Sequence, residues 1–184
     1  MTTVSDVELI DQFRNGKTEA FNLLVARYRE KVYWVARRMM SNHEDADDIV
    51  QEVFIRVYGH LSNFRAESGF YTWLYRITVN VSLNALRKKR IKNFIKLDEI
   101  VDTLIPDEGY ADEQVLKQEY ETILEKAIET LPPKQKMVFI LKYYDEMPFE
   151  EMAKMLKKSV GGLKANYFHA LQKIQKYVRS ESNK

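Results

Sequence analysis

Apolar side chains recur along this chain at intervals of three and four residues, and no stretch alternates as a strand does. Phe21, Leu24, Val25, Tyr28, Val32, Val35 and Met39 follow that spacing, the mark of an amphipathic helix. In DADDIVQEVFIRVY (45–58), Ile49, Val50, Val53, Phe54 and Val57 fall on one helical face. Asp48, Gln51, Glu52, Ile55 and Tyr58 fall on the other. Just ahead, Ser41-Asn42-His43-Glu44 has the S-x-x-E form of a capping box and predicts a helix start there. A long helix is predicted from about Phe70 to Arg90, burying Phe70, Leu74, Ile77, Val81 and Ala85. Gly59, Gly69 and the polar LSNFRAES interrupt the chain before it.

From about Asn93 to Asp112 the periodicity lapses, and Pro106 and Gly109 fall in the gap. Helical character resumes over Glu113 to Thr130. Pro132-Pro133 begins another helix, because proline is tolerated in a first turn. Pro148 opens a short helix ending near Leu156, and Ser159 is a good N-cap for a last one reaching about Val178. The expected fold is all-α: two small helical domains (1–94 and 115–184) joined by a flexible linker (95–114), the second domain a helix-turn-helix.

Composition narrows this reading. The chain has 184 residues, 45% of them hydrophobic and 30% charged, enough for packed cores. No apolar run reaches the roughly 18 residues of a spanning helix, so no membrane insertion is expected. MTTVSDVELI lacks the basic and apolar regions of a signal peptide. Zero cysteines exclude disulfides and thiolate metal sites and fit a cytoplasmic location.

Net charge is only +2, but it is distributed in blocks. Glu44, Asp45, Asp47, Asp48 and Glu52 form an acidic block, and Arg87, Lys88, Lys89, Arg90, Lys92 and Lys96 a basic one. Asp98 to Glu113 is acidic, with no Lys or Arg, and the segment from Lys154 is basic again. Such alternation predicts separate surfaces with different partners.

The acidic block admits several chemistries. Acids in a first turn favour the helix dipole, which accounts for Asp45 and Asp47. That leaves Ile55 unexplained: beside Asp48, Gln51 and Glu52 it reads as the apolar centre of a docking patch with a charged rim. A di-metal carboxylate site would use Glu-x-x-His pairs, and none occurs. His43, His60 and His169 are scattered, so neither a metal nor any other cofactor is expected.

On the helix from Phe70, Trp73, Arg76, Asn80, Leu83 and Arg87 form a stripe away from the predicted core, with Asn84 at its edge. Cations for phosphates, amides for base edges and a ring for stacking are the parts of a nucleic-acid surface. The alternative is that Trp73 packs at the core margin and Arg76 is simply solvated. Near the C-terminus, the last helix turns Ala165, His169, Gln172 and Lys176 outward, flanked by Lys164, Asn166, Phe168 and Lys173. That suits a recognition helix in a major groove, although a plain helical hairpin gives the same pattern.

Taken in order, DVELIDQFRNGKTEAFNLLVARY, DADDIVQEVFIRVY, FRAESGFYTWLYRITVNVSLNALRKKR and LPPKQKMVFILKYYDEMPFEEMAKMLKKSVGGLKANYFHALQKI resemble a bacterial RNA polymerase sigma factor of the extracytoplasmic-function group, in the sigma-70 family. The resemblance implies a promoter-specificity subunit without catalytic residues. Asp48, Gln51, Glu52 and Ile55 would dock on the coiled coil of the beta-prime subunit of core RNA polymerase. Asn63 and Arg65 in the loop, with Trp73, Arg76, Asn80, Asn84, Arg87 and Lys88, would read the −10 promoter element and capture an unstacked non-template base. Lys164, Ala165, Asn166, His169, Gln172 and Lys173 would read the −35 element. An anti-sigma factor is an expected partner, alongside polymerase and promoter DNA.

Two departures stand out. Relatives often place glycine where this chain has Lys157, and often read S-V-G-T-V-K-S-R where it reads SVGGLKAN. Gly162 weakens the helix start by up to about 1 kcal/mol relative to alanine. The competing readings are a stand-alone DNA-binding regulator, which leaves the acidic helix unexplained, and a carboxylate enzyme, which lacks convergent partners.

Overall fold

A computed structural model describes residues 4–40, 42–95 and 113–181. Most of the predicted linker, and Ser41 of the expected capping box, lie outside the described residues. Among the described residues there is no strand. The helices are α1 (Asp6–Arg14), α2 (Glu19–Met39), α3 (His43–His60), α4 (Phe70–Ile95), α5 (Glu113–Glu129), α6 (Pro133–Tyr143), α7 (Phe149–Leu156) and α8 (Val160–Glu181). A short 3-10 turn, Leu61–Asn63, follows α3. The chain divides into two compact units, Met1–Leu86 and Arg87–Lys184.

The first unit is built on α1, α2 and α3. Ser5 and Glu8 form a reciprocal capping box at α1, satisfying backbone donors that the first turn would otherwise orphan. Hydrogen bonds from Ser5 hold the Glu8 carboxyl below the usual range. Leu24, Tyr28, Val32, Val35 and Met39 of α2 meet Ile49, Val50, Val53, Phe54 and Val57 of α3 in the buried core. Asn42 caps α3, its side chain accepting from the Asp45 amide at 2.7 Å. The cap thus sits one residue beyond the expected Ser41.

The helix α4 departs from the expected pattern. Phe70, Leu74 and Val81 are buried as expected, but Ile77 and Ala85 are only half-buried. Tyr75, Thr78, Val79, Ser82 and Leu83 are buried instead. At about 100° per residue these positions cover more than half of the helix circumference. Leu83, assigned to the outward stripe, therefore lies inside at 8% exposure. A helix buried on more than one side has no single apolar stripe to read.

In the second unit, Pro132 caps α6 and Pro133 takes its first position. Met137, Val138, Phe139, Ile140 and Leu141 are all buried, so α6 is the central helix rather than a one-faced one. α8 packs against α5, α6 and α7, with Leu163, Ala170 and Ile174 inward. Phe139 stacks on Tyr167 with ring centroids 6.1 Å apart.

Candidate polymerase and nucleic-acid interfaces

On α3 the acids separate into two sets. Asp45 is half-buried and tied to Asn42 through its amide and, at 3.2 Å, its carboxylate. It serves the helix start. Asp48, Gln51 and Glu52 are exposed, and Ile55 at 72% is the most exposed large apolar side chain among the described residues. Arg56 also lies here, its guanidinium 2.5 Å from the Glu52 carboxylate. An exposed pair at this spacing is worth only about 0.3–0.5 kcal/mol, so a partner can displace it. Tyr58 turns away from the patch, packing edge-on against Phe13 and Phe21 at 5.2 and 5.1 Å. No group of three His, Asp or Glu side chains able to hold a metal occurs among the described residues.

The loop after α3 is held from two directions. Leu61 and Phe64 are buried, and the Phe64 ring lies 5.9 Å from Phe70 and 5.1 Å from Trp73. Arg14 of α1 donates from Nε to the Ser62 carbonyl at 3.2 Å and from Nη2 to the Phe64 carbonyl. Asn63 and Arg65 stay exposed, and they line an open cleft of about 510 Å³ with Arg14, Ser62, Phe64 and Ala66. Ala66 has a left-handed backbone, φ 53°, at a cost of about 1–2 kcal/mol for a residue with a Cβ.

Along α4, Trp73, Arg76, Asn80 and Asn84 share an arc of about 80°. Asn80 and Asn84 are exposed, Arg76 is half-buried, and Arg87 and Lys88 are exposed further along the helix. Trp73 is half-buried against Phe64 and Phe70, so part of its stacking surface is used internally. Nearby, Tyr28 donates to Asp6, and burial followed by that bond pushes its hydroxyl pKa up to about 12. Lys31 sits over the Tyr28 and Tyr71 rings at 5.5 and 5.3 Å.

In the second unit, α7, a short turn and α8 form the helix-turn-helix arrangement. Lys157 ends α7 in the left-handed conformation, φ 53° and ψ 51°, where a glycine carries no Cβ penalty. Ser159 Oγ accepts from the Gly162 amide at 3.2 Å, the expected cap. Ala165, His169, Gln172 and Lys173 are exposed on α8. Lys164 is exposed too, with its ammonium 5.9 Å from the Phe149 ring centroid.

Asn166 differs from the others: it is half-buried and its amide donates to the Gly162 carbonyl at 2.7 Å. Part of its hydrogen-bonding capacity is spent on its own helix. His169, Gln172, Lys173 and Lys176 line a cleft of about 420 Å³ with Gln135 of α6. Gln135 and Arg14 were not singled out from sequence. Arg56 was equally passed over, although Glu-x-x-x-Arg is a readable helical pair.

Family matches in both helical parts of the chain define the class. The Sigma-70 region 2 family matches residues 24–91 and the Sigma-70 region 4 family residues 121–174. The chain is 30% identical to the ECF RNA polymerase sigma factor SigW of Bacillus subtilis, over 92% of this chain and 95% of that one. It is 33% identical to the ECF RNA polymerase sigma-E factor of Haemophilus influenzae, over 96% of each. The fold is similar to that of the sigma factor RpoE in complex with the anti-sigma factor NepR from Bartonella quintana. That likeness has a TM-score of 0.60 at 18% identity, over 86% of this chain and 96% of that one. It is also similar to CnrH in complex with the cytosolic domain of CnrY, with a TM-score of 0.59 at 21% identity, over 94% and 96%.

The chain belongs to the extracytoplasmic-function group of sigma-70 family sigma factors. It is thus a promoter-specific subunit for transcription initiation, a DNA-binding factor rather than an enzyme. No helix among the described residues is long and apolar enough to cross a membrane.

Proposed function

We propose that the protein docks on the beta-prime coiled coil of core RNA polymerase through Asp48, Gln51, Glu52 and Ile55, and works in the cytoplasm with it. The segment 1–94 reads and melts the −10 element. Asn63, Arg65, Trp73, Arg76, Asn80, Asn84, Arg87 and Lys88 hold the separated non-template strand there. Unstacking a base costs a few kcal/mol, which stacking and base-edge hydrogen bonds offset. Melting therefore draws on binding energy and needs no nucleotide hydrolysis. Residues 115–184 read the −35 element through Lys164, Ala165, Asn166, His169, Gln172 and Lys173, with the acidic segment 95–114 spanning between. An anti-sigma factor covers these surfaces when the protein is silent, a reading supported by the complexes in which the two fold neighbours were solved.

The observation that carries the docking claim is Ile55, 72% exposed within an acidic and amide rim. The test is transcription in vitro with core polymerase and genomic DNA fragments. New start sites are expected when the protein is added, and their absence would defeat the proposal. Ile55→Glu should weaken core affinity by about thirtyfold, the effect of losing a hot-spot side chain, with the helical circular dichroism unchanged. Unaltered affinity would remove α3 as the docking face.

A further inference from the structure

We infer that Arg14 is a positioning residue for the loop that carries Asn63 and Arg65. It lies in α1, outside the residues 24–91 that match the region 2 family. Every guanidinium nitrogen has a partner within the unit. Nη1 donates to Asp11 at 3.0 Å, Nε to the Ser62 carbonyl at 3.2 Å, and Nη2 to the Phe64 carbonyl. Asp11 orients the fork and the fork ties down two backbone carbonyls, a geometry that a planar guanidinium can make and an ammonium cannot.

The loop is thus held between the Arg14 fork on its backbone and the Phe64 ring packed on Phe70 and Trp73. Beyond these two fastenings, Ala66 takes its left-handed turn and presents the exposed Arg65 and Glu67. A strained backbone persists only where its surroundings over-determine it. Arg14 supplies that determination from a helix 48 residues away in sequence. A loop shaped before the strand arrives loses less freedom on binding.

The inference rests on the proposed reading of the −10 element by this loop. Its test uses the full chain with core polymerase and genomic fragments that the wild type opens, scored by permanganate reactivity of unpaired thymines. Arg14→Ala is expected to lower open-complex formation about tenfold while core affinity stays within about twofold, as when an ordered binding loop is released. A second readout uses Trp34→Phe, which leaves Trp73 as the one remaining tryptophan of two. In that background Arg14→Ala should make Trp73 more accessible to acrylamide at a temperature where the helical signal is intact.

Arg14→Lys should restore little of the opening. Full restoration would show that charge alone suffices and overturn the fork. Equal opening by Arg14→Ala and wild type, or a parallel loss of core affinity and opening, would overturn the positioning role. A wild type that opens no fragment would instead defeat the underlying reading.

Discussion

The loop after α3 and the turn between α7 and α8 each contain a left-handed residue that is not glycine, Ala66 and Lys157, both at φ 53°. They are held differently. Around Ala66 the holding bonds are long-range: the Arg14 guanidinium is 48 and 50 residues away in sequence from its two carbonyls, with the Phe64 ring packed on the start of α4 beside them. Around Lys157 they are local: its own amide and that of Lys158 on the Ala153 carbonyl, then Ser159 capping Gly162 and Asn166 bonded to Gly162. Long-range fastening makes the loop's shape depend on the whole first unit. Local fastening leaves the start of α8 set by its own neighbours in sequence.

The largest effect that separates the two regimes is expected from aromatic truncation. Phe64→Ala removes a ring buried among Phe70 and Trp73 and should cost about 3–5 kcal/mol in denaturant unfolding. Phe168→Ala on α8 removes a ring that is 57% exposed and should stay within about 0.5 kcal/mol. A small cost at Phe64 would mean that the loop is not anchored through its ring.

Next comes alkaline pH, which acts on the first unit through Tyr28. Its hydroxyl is raised from 10.0 to about 12 by burial and by the bond to Asp6. The folded state therefore keeps a proton that the unfolded state releases. This contribution is present below pH 10 and is lost as pH rises towards about 12. The melting temperature should fall across that window, and Tyr28→Phe should flatten the fall. An identical slope in the variant would exclude Tyr28 as its source.

This contrast also explains what could be read from the sequence. α3 and α8 were legible because each has one apolar stripe and a local cap. The capping residue on α3 was misplaced by one position because Ser41 and Asn42 are both good caps. Ser5 and Glu8 carried the same capping signal for α1 and went unused. Leu83 was misread because α4 is buried around more than half its circumference, and a 3.6-residue period then marks no face. Asp11 and Arg14 are a readable i,i+3 pair, but the bonds from Arg14 to the loop left no trace in the pattern, since a backbone carbonyl has no sequence identity. The outward placement of Asp48, Gln51, Glu52 and Ile55 followed from helical phase alone. The internal bond of Asn166 did not, because a side chain that turns back on its own helix keeps its phase.

The smaller predictions probe the local regime. Lys157→Gly relieves a left-handed backbone without touching a side-chain partner described around it, and should stabilise by about 0.5–1 kcal/mol after the entropy of the unfolded glycine is counted. Gly162→Ala is subtler. Alanine favours a helix by up to about 1 kcal/mol over glycine, yet its Cβ would lie 2.9 Å from Ser159 Oγ. Ser159 must then rotate and weaken a cap worth about 1 kcal/mol. The two effects cancel, and the single variant should be close to neutral. In a Ser159→Ala background no cap remains to lose, so Gly162→Ala should then stabilise by most of its intrinsic preference. A double-mutant cycle by thermal unfolding measures the coupling directly. Strict additivity would mean that the Ser159 cap does not shape the start of α8.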